Sequence, residues 1–263
     1  MSAALVGVDI GGTLTDFCLS VGGELTTHKV LSTPRDPAQA MLAGLAGLHL
    51  PDGARIQRVA HGSTVATNAI LERKGARTAL IATAGFRDIL AIGRQDRPDL
   101  YALQPRLPPP LIPRRWCYEV PERLDHRGTV LVPMDEGALD AVLDELVRQE
   151  IESVAVCFLY SYVNPAHEQA VRARILERGL LSETQIALSC EVLSQFREYE
   201  RASTVALEAY VRPVMGGYVR RLDEGLSRLT DGTSSNAAAA GLLLRIMKSD
   251  GGVMSARWAR RHA

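Results

Sequence analysis

Apolar residues near the N-terminus recur at alternate positions and predict short strands. The segments ALVGVDI and LTDFCLS flank the pair Gly11-Gly12, which predicts a hairpin, and GGELTTHKVL adds a further turn and a third strand. Downstream, Asp36-Pro37 predicts the start of a helix, with Asp36 as its N-cap and an apolar face after it. The chain therefore opens as three strands followed by a helix.

The next segments alternate between strand and helix patterns. IQRVAHG predicts a strand, Ser63 or Thr64 caps the helix VATNAILERK, Gly75 ends that helix, and ARTALIAT predicts the following strand. This order favours an α/β fold with a mixed sheet flanked by helices. The proline-dense segment PRLPPPLIP then interrupts the pattern as a long loop.

A second α/β portion follows this loop. WCYEV, GTVLVPM and TQIALS predict strands, DEGALDAVLDELVRQE predicts an amphipathic helix, and SVAVCFLY predicts a buried strand in which Cys157 is a small core residue. Residues 198–229 predict a long helix with a break at Pro213 and Gly216-Gly217. GLLLRIM then predicts a new strand.

Composition narrows the class of protein. Of the 263 residues, 46% are hydrophobic and 23% are charged, and 30 basic residues balance 30 acidic ones. Because the charges balance, there is no basic field that would favour binding to nucleic acid or to an anionic membrane. No apolar run approaches the roughly 20 residues that span a bilayer. The N-terminus lacks a signal-peptide pattern, so we expect a cytoplasmic protein. The cysteines and histidines are scattered, which disfavours disulfides and a structural zinc site.

The first hairpin carries chemistry that a plain turn does not need. Asp9 ends the first strand, glycines allow backbone N–H groups to approach an anion closely, and threonines add hydroxyl donors. This pattern predicts a loop around the terminal phosphates of a nucleotide, with Asp9 near Mg²⁺ or an attacking nucleophile. The alternative is a structural Gly-Gly turn, which accounts for neither Asp9 nor the threonines. The candidate phosphate-binding residues are Gly11, Gly12, Thr13, Thr15 and Asp16.

The predicted start of the second helix is a further candidate site, for substrate or for an interface. Free N–H groups at a helix N-terminus favour an anion. The alternative is a capping serine beside a buried histidine. The candidate residues are His61, Gly62, Ser63, Thr64, Thr67 and Asn68.

A polar cluster before the proline-rich loop is another candidate for substrate or interface contacts, formed by Arg94, Gln95 and Asp96. Guanidinium forks suit carboxylate or phosphate groups. The alternative is a solvated loop, which is the better interpretation for Arg97. In FREYERAS, arginines and glutamates at helical spacing predict intrahelical ion pairs with a structural role.

Several long segments carry a family resemblance. VGVDIGGTLTDFCLS resembles the first phosphate motif of the superfamily of acetate and sugar kinases, actin and heat-shock chaperone ATPases. HGSTVATNAILERKGARTALIATAGFRDILAIGRQDRPDLY, FLYSYVNPAHE and EVLSQFREYERASTVALEAYV are similar to the N-terminal region of the hydantoinase A/5-oxoprolinase family, which also holds acetone carboxylase subunits. The resemblance runs from residue 6 to about residue 253. Departures from the family pattern occur at Leu14, Asp96 and Asp250.

The resemblance implies a ribonuclease H-like (actin-like ATPase) mixed sheet flanked by helices. It also implies ATP and Mg²⁺, with Asp9 acting on the metal through a water, and hydrolysis of a small cyclic amide through a phosphorylated intermediate. A hydantoinase B-type subunit or a second copy of the chain is the implied partner. One alternative is a non-catalytic nucleotide-binding or assembly module that docks on a partner subunit. Another is a sugar kinase, but membership of that class would not explain the segment GRQDRPDLY.

The resemblance also suggests a division of the chain. Residues 1–190 are expected to form the family's N-terminal domain, and residues 191–263 a helical segment with the truncated beginning of the main domain. No second DxGGT follows Gly252, so we expect a first half and the start of a second half, inactive by itself. The last apolar strand is then expected to join another sheet and to leave its apolar face uncovered.

Overall fold

A computed structural model describes residues 2–33, 36–96, 101, 103, 108–231, 243–248 and 251–260. The strands in these ranges are β1 Ala3–Ile10, β2 Leu14–Val21, β3 Glu24–Leu31, β4 Arg55–Ser63, β5 Thr78–Thr83, β6 Cys117–Val120, β7 Arg123–Leu124, β8 Val130–Val132, β9 Ser153–Cys157, β10 Ile186–Leu188, β11 Leu243–Met247 and β12 Val253–Ser255. The helices are α1 Pro37–Ala46, α2 Val65–Leu71, α3 Ile89–Ile92, α4 Glu136–Arg148, α5 Ala166–Glu177, α6 Ser189–Val192, α7 Glu198–Asp231 and α8 Ala256–Ala259. Asp250 and Arg97 lie outside the described residues.

The chain divides into two compact units. Unit 1 contains Met1–Leu71 and Val214–Ala263, and unit 2 contains Glu72–Pro213. Each unit has its own sheet and its own apolar core. The predicted boundary at residues 190/191 refers to the sequence regions of the family and not to compact units. It does not coincide with the division seen here, and it stays a prediction.

Unit 1 is built on a six-stranded mixed sheet in the order β12-β11-β4-β1-β2-β3. The three N-terminal strands pair antiparallel as predicted, whereas β4 runs parallel to both β1 and β11. Alternate side chains of β1 are buried and pack with residues of α1 and of the C-terminal half of α7. The predicted mixed α/β fold is thereby confirmed.

The start of α1 differs from the prediction in its chemistry. Asp36 occupies the N-cap position and Pro37 begins the helix, but the Asp36 side chain accepts no capping hydrogen bond. The hydroxyl of Thr33 instead accepts from the Ala40 amide at 3.1 Å and donates to the Asp36 carbonyl. The Asp36 carboxylate faces Arg221, whose Nε lies 3.4 Å away.

Two expectations for the C-terminal part are wrong. The helix α7 continues through Pro213, because buried apolar residues on both sides of that proline hold the helix in the two cores. The strand β11 does not belong to another sheet, since it pairs with β4 in unit 1. Its residues Leu244 and Ile246 are buried, so this face is covered.

Unit 2 contains a four-stranded parallel sheet in the order β10-β9-β5-β6, with a small β7–β8 hairpin beside it in the sequence. All residues of β5, β9 and β10 are buried, which is typical of a parallel sheet covered on both faces. One face packs with α4 and α5, and the other packs with the N-terminal half of α7. Cys157 is buried at the end of β9, as predicted.

No helix in the described ranges is long and apolar enough to cross a membrane.

A glycine in α1 provides a stability test for the core of unit 1. A Cβ atom at Gly44 would overlap the ring of the buried Phe17, whereas one at Gly47 would lie 3.5 Å from the nearest atom. Although Gly→Ala in a helix normally stabilises, we expect Gly44→Ala to lower the free energy of unfolding by about 1–3 kcal/mol, because a packed core resists added volume. Gly47→Ala is the matched control and should be neutral or stabilising. Urea unfolding checks both, and an equal effect of the two changes would contradict the packing.

Candidate functional site

The hairpin turn, defined as residues 11–13, connects β1 to β2. Asp9 pairs with Asp16 and Ile10 pairs with Thr15 across the two strands. The Gly11 amide donates to the Leu14 carbonyl at 3.0 Å and closes the turn. The predicted phosphate loop is thus a tight hairpin at the end of a central strand.

Two amides of this turn are open. Those of Gly12 and Thr13 donate to no acceptor among the described residues. A Cβ atom at Gly12 would have no heavy atom of the described residues within 4 Å, so that part of the chain leaves space above the turn. Thr13 is exposed, and its hydroxyl can add a donor. Successive backbone N–H groups with room in front of them form a site where an anion can bind.

Asp9 lies beside this turn on the exposed face of the sheet. Its neighbour on one side is Asp16, and its neighbour on the other is Gly62 of β4. A Cβ atom at Gly62 would lie 3.5 Å from Asp9 Oδ1, so the glycine leaves that side of the carboxylate uncrowded. Lys29 offsets the repulsion between the carboxylates, since its Nζ lies 2.5 Å from Asp16 Oδ1.

Thr15 takes a different place from the other predicted phosphate-binding residues. Its side chain is fully buried, and its hydroxyl shares a hydrogen bond of 2.9 Å with Ser32. Ser32 donates in turn to the Gly11 carbonyl at 2.8 Å, and its amide donates to the Thr13 carbonyl at 2.9 Å. Thr15 and Ser32 therefore brace the turn from the core side.

The position of His61 agrees with the alternative interpretation, in which it is a buried structural histidine. It is completely buried on the core face of β4, opposite to Gly62. Its Nδ1 lies 3.4 Å from the Val8 carbonyl, and its Nε2 lies 2.5 Å from the Tyr218 hydroxyl. Burial lowers the His61 pKa to about 4, so the ring is neutral, donating from Nδ1 and accepting at Nε2. The geometry gives His61 a role in the core and no contact with the exposed face.

The remaining candidates at α2 are divided between a capping role and exposure. The Ser63 hydroxyl accepts from the Val65 amide at 3.2 Å, which is a local cap. Thr64, Thr67 and Asn68 are exposed, and the Asn68 side chain lies 3.4 Å from the Thr64 hydroxyl. These three side chains remain candidates for substrate or interface contacts.

The cluster of Arg94, Gln95 and Asp96 belongs to unit 2, whereas the hairpin turn belongs to unit 1. Arg94 Nε donates to Glu200 Oε1 at 2.9 Å, and the guanidinium lies 5.7 Å from the Tyr199 ring centroid. Asp96 is exposed, and Gln95 has a φ of 62°, in the left-handed region. Arg94 therefore already has a carboxylate partner within FREYERAS.

Sequence reasoning missed a buried polar network in unit 2. Within FREYERAS, Arg197 lies 4.0 Å from Glu200, but Arg197 precedes the first residue of α7 and has a φ of 89°, so this pair is not within the helix as predicted. Arg201 instead turns to Glu168 of α5, with 3.6 Å between Nη2 and Oε1, and both side chains are buried. The Glu168 carboxylate also accepts from the amide of Phe158 at 2.9 Å and from two serine hydroxyls. In the sequence, the similarity of these segments to the family motifs was the signal that singled them out.

The carboxylate pair at the hairpin is compatible with Mg²⁺. Among the described residues, no group of three or more His, Cys, Asp or Glu side chains could hold a metal ion by itself. Mg²⁺, however, usually uses one or two carboxylates together with water and substrate phosphates. Asp9 next to an open anion site fits that requirement.

A family model described as the hydantoinase/oxoprolinase N-terminal region matches residues 5–179. The chain belongs to the hydantoinase/oxoprolinase family. A solved structure of ATP-dependent caprolactamase from Pseudomonas jessenii is 32% identical with a TM-score of 0.80, over 96% of this chain and 36% of that one. A nucleotide-free acetone carboxylase structure is 26% identical with a TM-score of 0.80, over 99% of this chain and 39% of that one.

The 5-oxoprolinase 1 of Arabidopsis thaliana is a further relative, 31% identical over 94% of this chain and 21% of its own length. The hydantoinase/oxoprolinase chain described here thus spans about a fifth to two fifths of the length of these relatives.

Burial of His61 makes stability depend on pH. Its pKa of about 4 in the folded chain lies below the usual 6.5, so the unfolded chain binds a proton first as the pH falls. The contribution of the neutral His61 ring to the free energy of unfolding is therefore fully present above about pH 6.5, and it is lost as the pH falls from 6.5 towards 4. Between pH 7 and pH 5 we expect the free energy of unfolding to fall by about 2 kcal/mol because of this residue.

Urea unfolding at the two pH values measures this loss. His61→Gln should remove it, whereas the exposed His49→Gln should retain it. Equal pH dependence in wild type and His61→Gln would contradict the buried neutral ring.

Proposed function

We propose that unit 1 binds the phosphates of ATP at the hairpin turn. The observation that supports this most strongly is the pair of open amides at Gly12 and Thr13, with free space above Gly12 and Asp9 beside them. Gly11 shapes the turn, while Thr15 and Ser32 brace it from below. The names of the caprolactamase and acetone carboxylase structures, both described as ATP-dependent, agree with this proposal.

Mg²⁺ would lie next to Asp9, held through a water, with Asp16 adding negative charge behind it. When bound, such an ion neutralises the charge that develops on the transferring phosphoryl group. The contribution of the chain is positional: β1 presents Asp9 on the exposed face, and Gly62 leaves that carboxylate accessible. Lys29 keeps Asp16 in place.

The reaction that we propose for the protein carrying this chain is ATP-dependent hydrolysis of a small cyclic amide. The amide oxygen attacks the γ-phosphorus and ADP leaves. Water then adds to the activated carbon, the ring C–N bond opens and phosphate departs, so that ATP, cyclic amide and water give ADP, phosphate and the ring-opened acid, an amino acid from a lactam or an N-carbamoyl amino acid from a hydantoin. The names 5-oxoprolinase 1 and caprolactamase support a cyclic amide as the substrate class.

A partner subunit is part of the proposal. Relatives are named as subunits, among them caprolactamase subunit alpha of Pseudomonas jessenii and acetone carboxylase beta subunit of Xanthobacter autotrophicus. We therefore infer a partner of the hydantoinase B type, or a second copy of this chain. Phosphoryl transfer depends on fixing both reactants, so the hairpin turn by itself supplies only part of the site.

The test is ATP turnover by the protein that carries this chain, purified with any subunit that accompanies it. ADP formation should depend on a cyclic amide such as 5-oxoproline or hydantoin, and Asp9→Asn should reduce it about a hundredfold or more, because Asp9 acts on developing charge. Asp52→Asn, at an exposed turn, is the control and should retain full activity. Residues 1–263 alone should bind ATP only near the millimolar range, about 4 kcal/mol, without measurable hydrolysis.

An Asp9→Asn protein with the wild-type rate would show that Asp9 is only a turn residue. Nucleotide binding without turnover on any cyclic amide or ketone would instead favour a non-catalytic assembly module.

A further inference from the structure

A cleft of about 180 Å³ lies in unit 2 at the carboxyl edge of its parallel sheet. Its lining includes Phe86, which follows β5, Arg123 of β7, which follows β6, and Tyr160 and Tyr162, which follow β9. Arg197, the residue before α7, and Glu198, the first residue of α7, close another side. Pockets for drug-sized ligands measure roughly 300–1,000 Å³, so this cleft suits a smaller molecule.

The strand order makes this edge a favoured place for a ligand. In the sheet order β10-β9-β5-β6, the chain leaves β5 towards β6 on one side, whereas it leaves β9 towards β10 on the other. The neighbours β5 and β9 therefore form a topological switch point. In open α/β sheets, ligands bind in the crevice outside the carboxyl ends of the strands at such a point.

The loop after β9 is held rigidly at the cleft. The Leu159 amide donates to the Thr83 hydroxyl at 3.0 Å, and the Phe158 amide donates to the buried Glu168 carboxylate at 2.9 Å. Tyr160 has a φ of 58°, in the left-handed region that non-glycine residues rarely occupy. Such conformations persist where the surrounding contacts determine them, often at ligand sites.

The lining of the cleft carries excess positive charge. The half-buried Arg123 lies 5.7 Å above the Phe86 ring, and no carboxylate among the described residues pairs with it. Within the described ranges, the ion-pair partner of Arg197 is Glu200, at 4.0 Å, and that carboxylate already accepts from Arg94 at 2.9 Å. Glu198 is the one acidic residue in the lining.

Arg201 adds a buried donor to the same lining. It is 1% exposed, and its guanidinium lies 5.3 Å from the Tyr162 ring centroid. Glu168 offsets its charge, and Ser161 and Ser189 accept from its Nη2. The Arg201 Nε has no hydrogen-bond partner within the described part of the chain. Buried polar groups normally have a partner, so this nitrogen is an exception in the network.

We propose that this cleft binds a small organic carboxylate with a flat, apolar body. The carboxylate would be held by Arg123 and Arg197, because guanidinium groups bind carboxylates through two parallel hydrogen bonds. The body would pack against Phe86, Tyr160 and Tyr162, since aromatic faces suit planar groups. The proposal goes beyond the nucleotide function of unit 1 and does not depend on it.

The experiment is a titration of residues 1–263 with benzoate, benzamide and acetate, followed by backbone amide NMR. Benzoate should shift the amides around Arg123, Tyr160 and Arg197, and should bind about tenfold more tightly than the neutral benzamide. Acetate should bind more weakly than benzoate because it lacks the ring. Arg197→Gln should weaken benzoate binding about tenfold.

The matched control is Arg148→Gln. Arg148 and Arg197 are both 71% exposed at the side chain, and each pairs with a glutamate three residues away, so neither change should disturb folding. Arg148→Gln should leave benzoate binding unchanged. The proposal would be overturned by equal binding of benzamide, by equal effects of the two variants, or by no benzoate shift at the cleft. Displacement of benzoate by an equal concentration of inorganic phosphate would also overturn it, because the site would then be a general anion site.

Discussion

The alternation of buried and exposed side chains along β1 is the constraint on which the site depends. Ala4, Val6, Val8 and Ile10 face the core, so Asp9 must face outwards. The strand is fixed on both sides, antiparallel to β2 and parallel to β4. A slip by one residue would expose the four apolar side chains and bury the carboxylate, so the core of unit 1 sets the position of Asp9.

The same constraint connects the core to the hairpin turn. Because Thr15 lies in phase with the buried Phe17 and Leu19, its hydroxyl is directed under the turn and bonds to Ser32. The turn is therefore supported from the core side, while the amides of Gly12 and Thr13 stay open on the other. A rigid frame with free donors suits an anion, because no reorganisation is needed when the anion binds.

Local patterns were sufficient to predict the three-strand meander, the mixed sheet and the position of the turn. The same alternation could also have placed His61, which is in phase with the buried Val59, on the core face. The course of α7 through Pro213 could not be read locally. A proline inside a helix costs about 3 kcal/mol, and only the burial of its neighbours in two cores outweighs that cost.

Pairings between distant segments were equally beyond local patterns. The contact of β11 with β4 joins residues far apart in the chain, and no periodicity specifies it. The cleft of unit 2 is a similar case, since Phe86, Arg123 and Arg201 meet only at the edge of the parallel sheet. Resemblance to the family singled out these segments of the sequence, but it did not indicate which of their side chains lie close together in the fold.

Amide NMR of residues 1–263 during titration with Mg-ATP tests the central claim most directly, which is that the hairpin turn holds phosphates. The account predicts that the largest shifts occur at Gly11, Gly12 and Thr13, that adenosine alone does not cause them, and that Gly12→Val removes them while the fold is retained. The substitution has room among the described residues, none of which has an atom within 4 Å of a Cβ at this position. Shifts of equal size in Gly12→Val, or Mg-ATP shifts confined to residues outside the turn, would contradict the account.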